Sequence, residues 1–453
     1  MILFSDIHPH TIVYVTPEQS IQAAYDAATP GTAIGLKAGV YNQNLRFSKT
    51  NTTPDKPIWL FSADGVHAAR IAPLNQAVDQ AAIAAWNISN HAIIGIAVSD
   101  APRGIFYGSS APYGQIKSQN MLVLGVLVER IAEDGIKVSC VDNAQVVACT
   151  VRGAKEEGID YLGVVKGRIA SNDISLGTTT SAGIFTKGGS EDLIVEDNYV
   201  HDMSAANGIC IGGQTGTANF RDGFFAALDA RGELHYEAKG VIVRRNMVER
   251  IAKLALQFKG AASSRGFGNF MNGKAGYYAA IGILDGWSSA IPRMWSRDLM
   301  IDDNLLADNS KIIIHEGNDN AIVIGSNPPV TTPPSAVTAE MLAQFETTRA
   351  AYIVNPTLPA EEVPPPSGEE LQKLYDAIVI ERDALMASNK QLQVQLDAAK
   401  AEVTRLTALL AAAGNTAEAD ALRAQLADAQ ADLTAAESAM GAIGTIITEY
   451  NAR

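Results

Sequence analysis

Charged residues are scarce in this 453-residue chain, at 19% against roughly 25% in an average globular protein. Hydrophobic residues make up 47%, which is too many for a disordered chain. Acidic residues outnumber basic ones by 49 to 35, for a net charge of −14. Because nucleic-acid binding needs clustered lysine and arginine, we expect no nucleic-acid partner. An acidic glycan would need a local basic patch, and the total charge leaves that question open.

Cysteines are few, and a basic N-terminal region and long apolar runs are missing. Cys140, Cys149 and Cys210 show no CxxC spacing, which argues against a disulfide scaffold and a zinc site and favours buried small residues. Residues 1–10 lack the pattern of a secretory signal. No apolar stretch reaches the ~18 residues of a transmembrane helix. We therefore expect synthesis in a cytoplasm, no membrane insertion and no metal site.

Shifts in composition divide the chain into three parts. Residues 1–325 are rich in glycine, isoleucine, valine and asparagine. Residues 326–368 hold repeated prolines, which prevent regular structure and predict a semi-rigid linker, interrupted by a short helix near 339–351. Residues 369–453 are rich in alanine, leucine, glutamine and glutamate and contain no proline.

A heptad repeat runs through the third part. One series recurs every seven residues from Leu371 to Leu406, and a second follows at an offset of four. This seam predicts an α-helical coiled coil that joins chains, with a homotrimer expected and two strands as the alternative. The polar seam residues Arg382 and Asn389 either fix the register or are merely tolerated. After Gly414 the helix either shifts phase or folds back as a hairpin.

Short β-rich repeats fill the first part. Gly135, Gly158, Gly183 and Gly208 each precede an isoleucine and lie 23 to 25 residues apart. This period without a helical pattern predicts one solenoid coil per repeat. Alternate residues should point into the core. These are Ile136, Val138, Ile159, Tyr161, Ile184, Ile209 and Ile211.

A recurring asparagine marks one turn of the repeat. It stands at Asn172, Asn198, Asn246 and Asn304. A side-chain amide at the same turn of each coil can hydrogen-bond the backbone of the next coil. The pattern therefore predicts an internal asparagine ladder rather than a set of ligand-binding residues.

Two stretches resemble a known family. Residues 20–41, followed by Asp55-Lys-Pro-Ile-Trp-Leu, resemble the capping helix and opening coil of alginate and chondroitin lyases. The segment Ala182-Gly-Ile-Phe-Thr-Lys-Gly-Gly and those beginning at Asn207 and Tyr236 resemble the repeats of the pectin-lyase-like superfamily, which also includes phage tailspikes. The resemblance covers about residues 15–320. It implies a mainly β protein, a right-handed parallel β-helix with an N-terminal cap, and says little about activity.

An acidic face carries the first candidate catalytic residues. Lys137 and Asp160 occupy the same position on adjacent coils, as do Asp134 and Glu157, and stacked coils place such residues ~4.8 Å apart. The resemblance implies a lyase that removes a proton alpha to a uronate carboxylate, using a base, an acid and a cation. Lys137, Glu157 and Asp160 are the candidates for these roles. The alternative is a salt-bridged ladder on a solvated sheet face.

Lys187 is the fourth candidate, because it matches the lysine base of the alginate and chondroitin lyases. In that family a pair of acidic residues precedes the lysine, whereas this chain has Thr180 and Ala182 there. The family's arginine is missing from residues 209–213. Enzymatic activity therefore stays open. We expect no cofactor, with calcium relevant only if the protein is a lyase.

Two interruptions of the repeat, at 214–236 and 260–298, concentrate aromatic residues in a chain with only 6% of them. Aromatic faces suit sugar rings, and long loops on a rigid scaffold often bind ligands. The candidate glycan-binding residues are Phe220, Phe224, Tyr236, Tyr277, Trp287 and Trp295. The alternative is that these loops pack on the coil or on a neighbouring chain.

A β-solenoid without an export signal, joined to a coiled coil, is typical of phage fibre and spike proteins. We therefore expect a virion fibre, tailspike-like or decoration protein. Its β-helix would contact a host-surface polysaccharide, and its C-terminal helices would trimerise it or attach it to other virion proteins. One alternative is a polysaccharide lyase or depolymerase acting on an acidic glycan. Another is a structural spacer without glycan affinity.

Overall fold

The computed structural model divides the chain into two compact units, Met1–Thr357 and Leu358–Arg453. It describes residues 11–74, 81–177, 181–272, 280–288, 291–307, 311–314, 321–327, 334–352 and 400–410, together with 423, 425–427, 429–430 and 433–434. Among these residues, no helix is long and apolar enough to cross a membrane.

Three long parallel sheets form the first unit, so the prediction of a mainly β solenoid is confirmed. Each regular coil adds one strand to sheet C, then one to sheet A, then one to sheet B, and neighbours within a sheet come from successive coils. Sheet A contains Thr11–Val15, Thr32–Leu36, Ile58–Ser62, His91–Ile94, Gln119–Leu124, Asp142–Val147, Arg168–Ala170, Ile194–Glu196, Ile242–Arg244, Arg265–Phe267, Met300–Asp302 and Val323–Ile324.

The other two sheets have the same stacked arrangement. Sheet B contains Gly39–Tyr41, Ala69–Ile71, Ala97–Ser99, Leu127–Ile131, Thr150–Ala154, Asp173–Gly177, Tyr199–Met203, Met247–Ile251, Phe270–Asn272 and Leu305–Leu306. Sheet C contains Leu45–Phe47, Ile83–Trp86, Ile105–Gly108, Ile136–Ser139, Glu157–Leu162, Ala182–Lys187, Asn207–Ile211, Leu256–Lys259, Ile281–Leu284 and Ile312–Ile314. A small parallel sheet adds Ser190–Glu191, Ala238–Lys239 and Ala261–Ala262.

Apolar side chains stack in rows along the inside of the solenoid. The strand register pairs Ile136 with Ile159, Ile159 with Ile184, and Ile184 with Ile209. All seven residues predicted to point inward are at most 1% exposed. Because isoleucine side chains of successive coils stack on one another, each coil is buried against its neighbours and the core runs continuously along the sheets.

The predicted asparagine ladder is confirmed and is longer than expected. Asn246 Oδ1 accepts hydrogen bonds from the backbone N–H of Asn198 at 3.1 Å and from its Nδ2 at 2.8 Å. The same contacts link Asn172, Asn198, Asn246, Asn269, Asn304 and Asn327 in order. Each buried amide therefore satisfies the backbone of the coil beside it.

A capping helix closes the first coils, as the resemblance implied. Helix α1, Ile21–Ala27, begins after Ser20, whose Oγ accepts from the Ala23 N–H. Tyr25 is fully buried, and its hydroxyl lies 3.1 Å from His91 Nε2. The helix thus covers apolar side chains that the first coil would otherwise expose.

One of the two predicted interruptions is an insertion and the other is not. Between the strands Asn207–Ile211 and Ala238–Lys239 the chain forms a 3-10 turn, Thr217–Asn219, and helix α2, Phe224–Arg231. The prediction of an insertion over 260–298 is wrong, since Arg265–Phe267, Phe270–Asn272 and Ile281–Leu284 continue the three sheets. Of the described residues in this stretch, those that leave the coil form an antiparallel hairpin, Gly286–Ser288 with Ile291–Met294.

Helix α3, Pro334–Tyr352, occupies part of the segment predicted as a linker. It begins earlier than the predicted 339–351, at a proline whose missing N–H costs nothing in the first turn. Phe345 is 6% exposed and packs against Tyr199, Met247 and Phe270. This part of the proline-rich segment is therefore folded onto the solenoid.

In the second unit, residues 400–410 are helical, and Arg405 pairs with Glu402 one turn earlier. Most of the predicted heptad seam, including Arg382 and Asn389, lies outside the described residues. The coiled coil and the trimer stay predictions.

Candidate functional site

Sheet C brings the four predicted catalytic residues together on its outward face. The register pairs Lys137 directly with Asp160 and Leu162 with Lys187. Glu157 begins the strand that also carries Asp160. Ile159 and Tyr161 point inward, so Asp160 points to the opposite face, as Lys137 and Lys187 do. Glu157 stands at the first position of its strand, and its carboxylate joins this face through its contact with Lys187.

Two lysines bridge three carboxylates in this cluster. Lys137 Nζ lies 2.9 Å from Asp134 Oδ2 and 2.5 Å from Asp160 Oδ2. Lys187 Nζ lies 3.0 Å from Glu157 Oε1 and 3.3 Å from Asp160 Oδ1. The ion pairs of the alternative, a salt-bridged ladder, are present over three successive coils, but the carboxylates are buried rather than solvated.

Burial and ion pairing together set the charge states within the cluster. Asp134 and Asp160 are fully buried and Glu157 is 7% exposed. Burial raises the pKa of Glu157, and the neighbouring Asp134 raises it further. Burial would lower the pKa values of Lys137 and Lys187, but the adjacent carboxylates outweigh it and hold both pKa values above the ordinary one. Both lysines are therefore cations, which favours charge neutralisation over proton abstraction.

The three carboxylates are also the cluster that most resembles a metal site in the described part of the chain. Oxygens of Asp134, Glu157 and Asp160 lie within 4.8 Å of one another, and oxygen ligands of this kind suit calcium. The ammonium groups of Lys137 and Lys187 already contact the same oxygens. A cation would have to compete with two fixed positive charges.

A groove of about 780 Å³ lies over the cluster. Its lining includes five cationic side chains, Arg103, Lys137, Lys187, Lys253 and Lys259. The amides of Asn207 and Gln257 and the ring of Phe185 also line it. Asp134, Glu157 and Asp160 are not part of the lining, so a ligand in the groove meets ammonium and guanidinium groups first.

The insertion provides one wall of the groove through residues 213–216. Glu237, which is fully buried, accepts from the N–H and the hydroxyl of Thr215, both at 2.7 Å, and from the N–H of Gly188 at 3.1 Å. Burial raises the pKa of Glu237, although these hydrogen bonds oppose the shift. This carboxyl ties the wall to the coil, a role that its place in the sequence does not indicate.

Lys259 is a groove residue that the sequence interpretation missed. It ends the strand Leu256–Lys259 in the same row as Lys187. Among the described residues its ammonium group has no hydrogen-bond or ion-pair partner, and burial lowers its pKa. The sequence does indicate Lys259, because Phe258-Lys-Gly repeats the Lys-Gly pair of Thr186-Lys-Gly.

The aromatic candidates of the insertion form its core. Phe220, Phe224 and Tyr236 are 6%, 1% and 1% exposed. Phe224 lies 5.0 Å from Phe220 and 5.3 Å from Tyr236, measured between ring centroids. The rings pack against one another in edge-to-face and tilted contacts, so the expected sugar contact is corrected to a packing role.

Trp295, another aromatic candidate, is not among the residues that line the groove. Trp295 follows the hairpin, is half-buried, and has the Arg293 guanidinium 4.0 Å from its ring centroid. Tyr277 lies outside the described residues, as does the side chain of Trp287.

Comparisons with known proteins find similarity in structure alone. No family model matches the sequence, and no curated protein matches it. The A-module of a mannuronan C-5 epimerase from Azotobacter vinelandii is 15% identical over 69% of this chain and 93% of that one, with a TM-score of 0.46. A pectate lyase is 13% identical over 73% of this chain and 84% of that one, with a TM-score of 0.48. The Dettilon tailspike protein is 14% identical over 69% of this chain and 68% of that one, with a TM-score of 0.33. These values assign neither family nor activity.

Proposed function

We propose that the groove on sheet C binds an acidic polysaccharide. The observation that carries this proposal is the arrangement of charge, with five cationic side chains on the groove surface and the cluster carboxylates buried behind them. Ammonium and guanidinium groups make strong charge-assisted hydrogen bonds to carboxylates. The amides of Asn207 and Gln257 offer donors and acceptors to hydroxyl groups.

The solenoid also suits a linear polymer. A chain lying across the strands of sheet C meets equivalent side-chain positions every ~4.8 Å. A row such as Lys187 and Lys259, two coils apart, repeats the same contact along the polymer. Recognition would then depend on the spacing of carboxylates along the glycan as well as on their number.

The proposal extends to the whole chain. It is a right-handed parallel β-helix of the pectin-lyase-like kind, serving as a virion fibre, tailspike-like or decoration protein that contacts a host-surface polysaccharide. The proline-rich segment and the heptad seam after it support a C-terminal coiled coil that trimerises the protein or attaches it to other virion proteins. Light scattering on the full chain should give the mass of a trimer, and a monomer would contradict this part.

Cleavage is a second candidate, favoured by Lys259. Lys259 lies in the groove, burial lowers its pKa, and no carboxylate of the described residues forms an ion pair with it, which suits a general base. The base would take the proton alpha to a uronate carboxylate, the C–O bond to the leaving sugar would break, and that sugar would gain a proton. The product is a new unsaturated end. Calcium would enter only in this lyase, as a partner of the substrate carboxylate.

Polygalacturonate tests both candidates. Titration of the full chain should show binding that weakens about fivefold in Lys253→Gln, because a charge-assisted contact is lost. The matched control is Lys37→Gln, since Lys37 is a partly exposed lysine paired with Asp64 away from the groove. Equal losses in the two variants would contradict the binding proposal. Cleavage would be established if the native chain produces the absorbance of unsaturated ends and Lys259→Gln does not.

A further inference from the structure

We propose that Trp86 and Phe106 form a second subsite for the same polysaccharide, in which an indole and a phenyl ring stack on the apolar face of a sugar. This inference rests on the proposed function, because it names a further contact for the chain that the groove holds. Neither residue belongs to the aromatic loops that the sequence singled out.

The two rings continue the surface of the groove. The register pairs Phe106 with Lys137, and it pairs Trp86 with Gly108, which in turn pairs with Ser139. Trp86 therefore stands in the row that leads to Lys187 and Lys259. In the strand Ile83–Trp86 the first and third residues are buried, which turns Trp86 to the outward face.

A cation joins the two parts of this surface. Arg103 lines the groove and lies three residues before Phe106 on the same coil. Its Nε lies 3.5 Å from Asp134 Oδ2, so the side chain reaches the acid–lysine cluster. A polymer leaving the groove past Arg103 therefore passes directly onto Phe106 and then Trp86.

The position of the Trp86 ring is fixed although half of its surface is open. Trp86 is 50% exposed, and its ring centroid lies 5.8 Å from that of Phe106 at an interplanar angle of 35°. A Cβ on Gly108 would clash with both rings, so the indole packs directly over the backbone of this glycine. Asn87 Oδ1 accepts from the Ser110 N–H at 2.9 Å and holds the turn that follows Trp86.

A sugar polymer is the occupant that fits the whole strip. Six strand steps separate Trp86 from Lys259, or roughly 29 Å at the spacing of strands in a sheet. A uronate chain offers carboxylates to the lysines and C–H faces to the rings, and aromatic rings favour such apolar faces. An exposed ring already held in place loses little conformational entropy on binding.

The test compares short and long oligogalacturonates on the full-length protein by titration calorimetry. Trp86→Ala should bind long oligomers about three- to tenfold more weakly, while short oligomers that fit within the groove bind as before. Tyr14→Ala is the control, because Tyr14 is 49% exposed on sheet A, and its affinity should not change. Melting temperatures of both variants check that the fold is kept.

Each other outcome overturns a defined part of this account. Unchanged affinity of Trp86→Ala for long oligomers would contradict the subsite but not the proposed binding in the groove. An equal loss for short and long oligomers would also remove it, because the ring would then act on the groove rather than on the sugar. If the native chain binds neither length, the proposed function fails and the subsite fails with it.

Discussion

Asn246 shows how much of the solenoid depends on one side chain. Its amide donates to the Val195 carbonyl at 3.0 Å and to Asn269 Oδ1 at 2.9 Å, while its oxygen accepts twice from Asn198. All of these groups are buried, and removing the amide leaves several of them without a partner. Leaving a buried donor or acceptor unpaired costs more than an exposed hydrogen bond contributes.

Asn246→Ala should lower the free energy of unfolding by about 2–4 kcal/mol, since more than one buried polar group loses its partner. Urea unfolding followed by circular dichroism measures the loss. The control is Asn143→Gly, which removes an exposed amide that donates to Asn120 and keeps the positive φ of that turn. A loss in the control as large as in Asn246→Ala would contradict the ladder's structural role.

Glu157 should leave a signature in the pH dependence of stability. Burial raises its pKa above the ordinary 4.5, so the folded state binds this proton more tightly than the unfolded state does. The stabilising contribution is present below pH 4.5 and is lost as the pH rises through the raised value. The melting temperature of the native chain relative to Glu157→Gln should therefore fall with rising pH.

Glu233 provides the opposite case. The neighbouring Arg231 and Lys239 lower its pKa, so its contribution is present above the ordinary value and is lost on acidification. Relative to Glu233→Gln, the native chain should gain stability with rising pH. The same sign of slope for Glu157 and Glu233 would contradict the charge states assigned to the cluster.

Among the elements, the capping helix carries a titratable contact of its own. Burial lowers the pKa of His91 to about 4, and its ring contacts the Tyr25 hydroxyl, which also accepts from the N–H groups of Ser48 and Lys49. A base with a lowered pKa contributes stability above its ordinary value of about 6.5 and loses it as the pH falls toward 4.

Acidification over that range should therefore loosen the cap before the rest of the solenoid. Hydrogen exchange at the Ser48 and Lys49 amides should speed up as the pH falls from about 6.5 to about 4, once the intrinsic pH effect on exchange is removed. In His91→Gln this additional acceleration should disappear, because glutamine does not titrate. Its persistence in the variant would assign the loosening to another group.

The sequence repeats made most of the strands predictable. Lys259 and Trp86 were missed because the repeat pattern is absent from the coils that carry them. The Gly-Ile pair marks the central coils of sheet C, and it placed Lys137 opposite Asp160 correctly. At the coil that carries Lys259 the pair becomes Ala255-Leu256, and at the coil that carries Trp86 it becomes Ala82-Ile83. The glycine is needed in the central coils because a Cβ at Gly158 would clash with the Gly183 carbonyl and with Ile174.

The insertion also hid part of the site. About 47 residues separate Gly208 from its equivalent on the next coil, Ala255, instead of the usual 23 to 25. The repeat spacing alone therefore could not predict that Lys259 stands in the same row as Lys187. Aromatic content was a poor guide, because Phe224 and Tyr236 are needed to give a long loop its own core. The groove depends on contacts between residues of distant coils, and only the folded register shows them.

At the scale of the whole molecule, an acidic chain with net charge −14 carries a groove lined by cations. Lys137 and Lys187 stay positive because the carboxylates that raise their pKa values lie beneath the surface. The overall negative charge would repel an acidic polymer at long range, and salt would screen both this repulsion and the local attraction. Binding therefore depends on local geometry rather than on net charge.

The most direct test of the central claim is titration of the full chain with polygalacturonate and with the same polymer after methyl esterification of its carboxylates. The acidic form should bind, with an affinity that weakens as salt rises, and the esterified form should bind little, because the groove cations then lose their partners. Equal binding of the two polymers, or binding of neither, would contradict an acidic polysaccharide as the ligand of the groove.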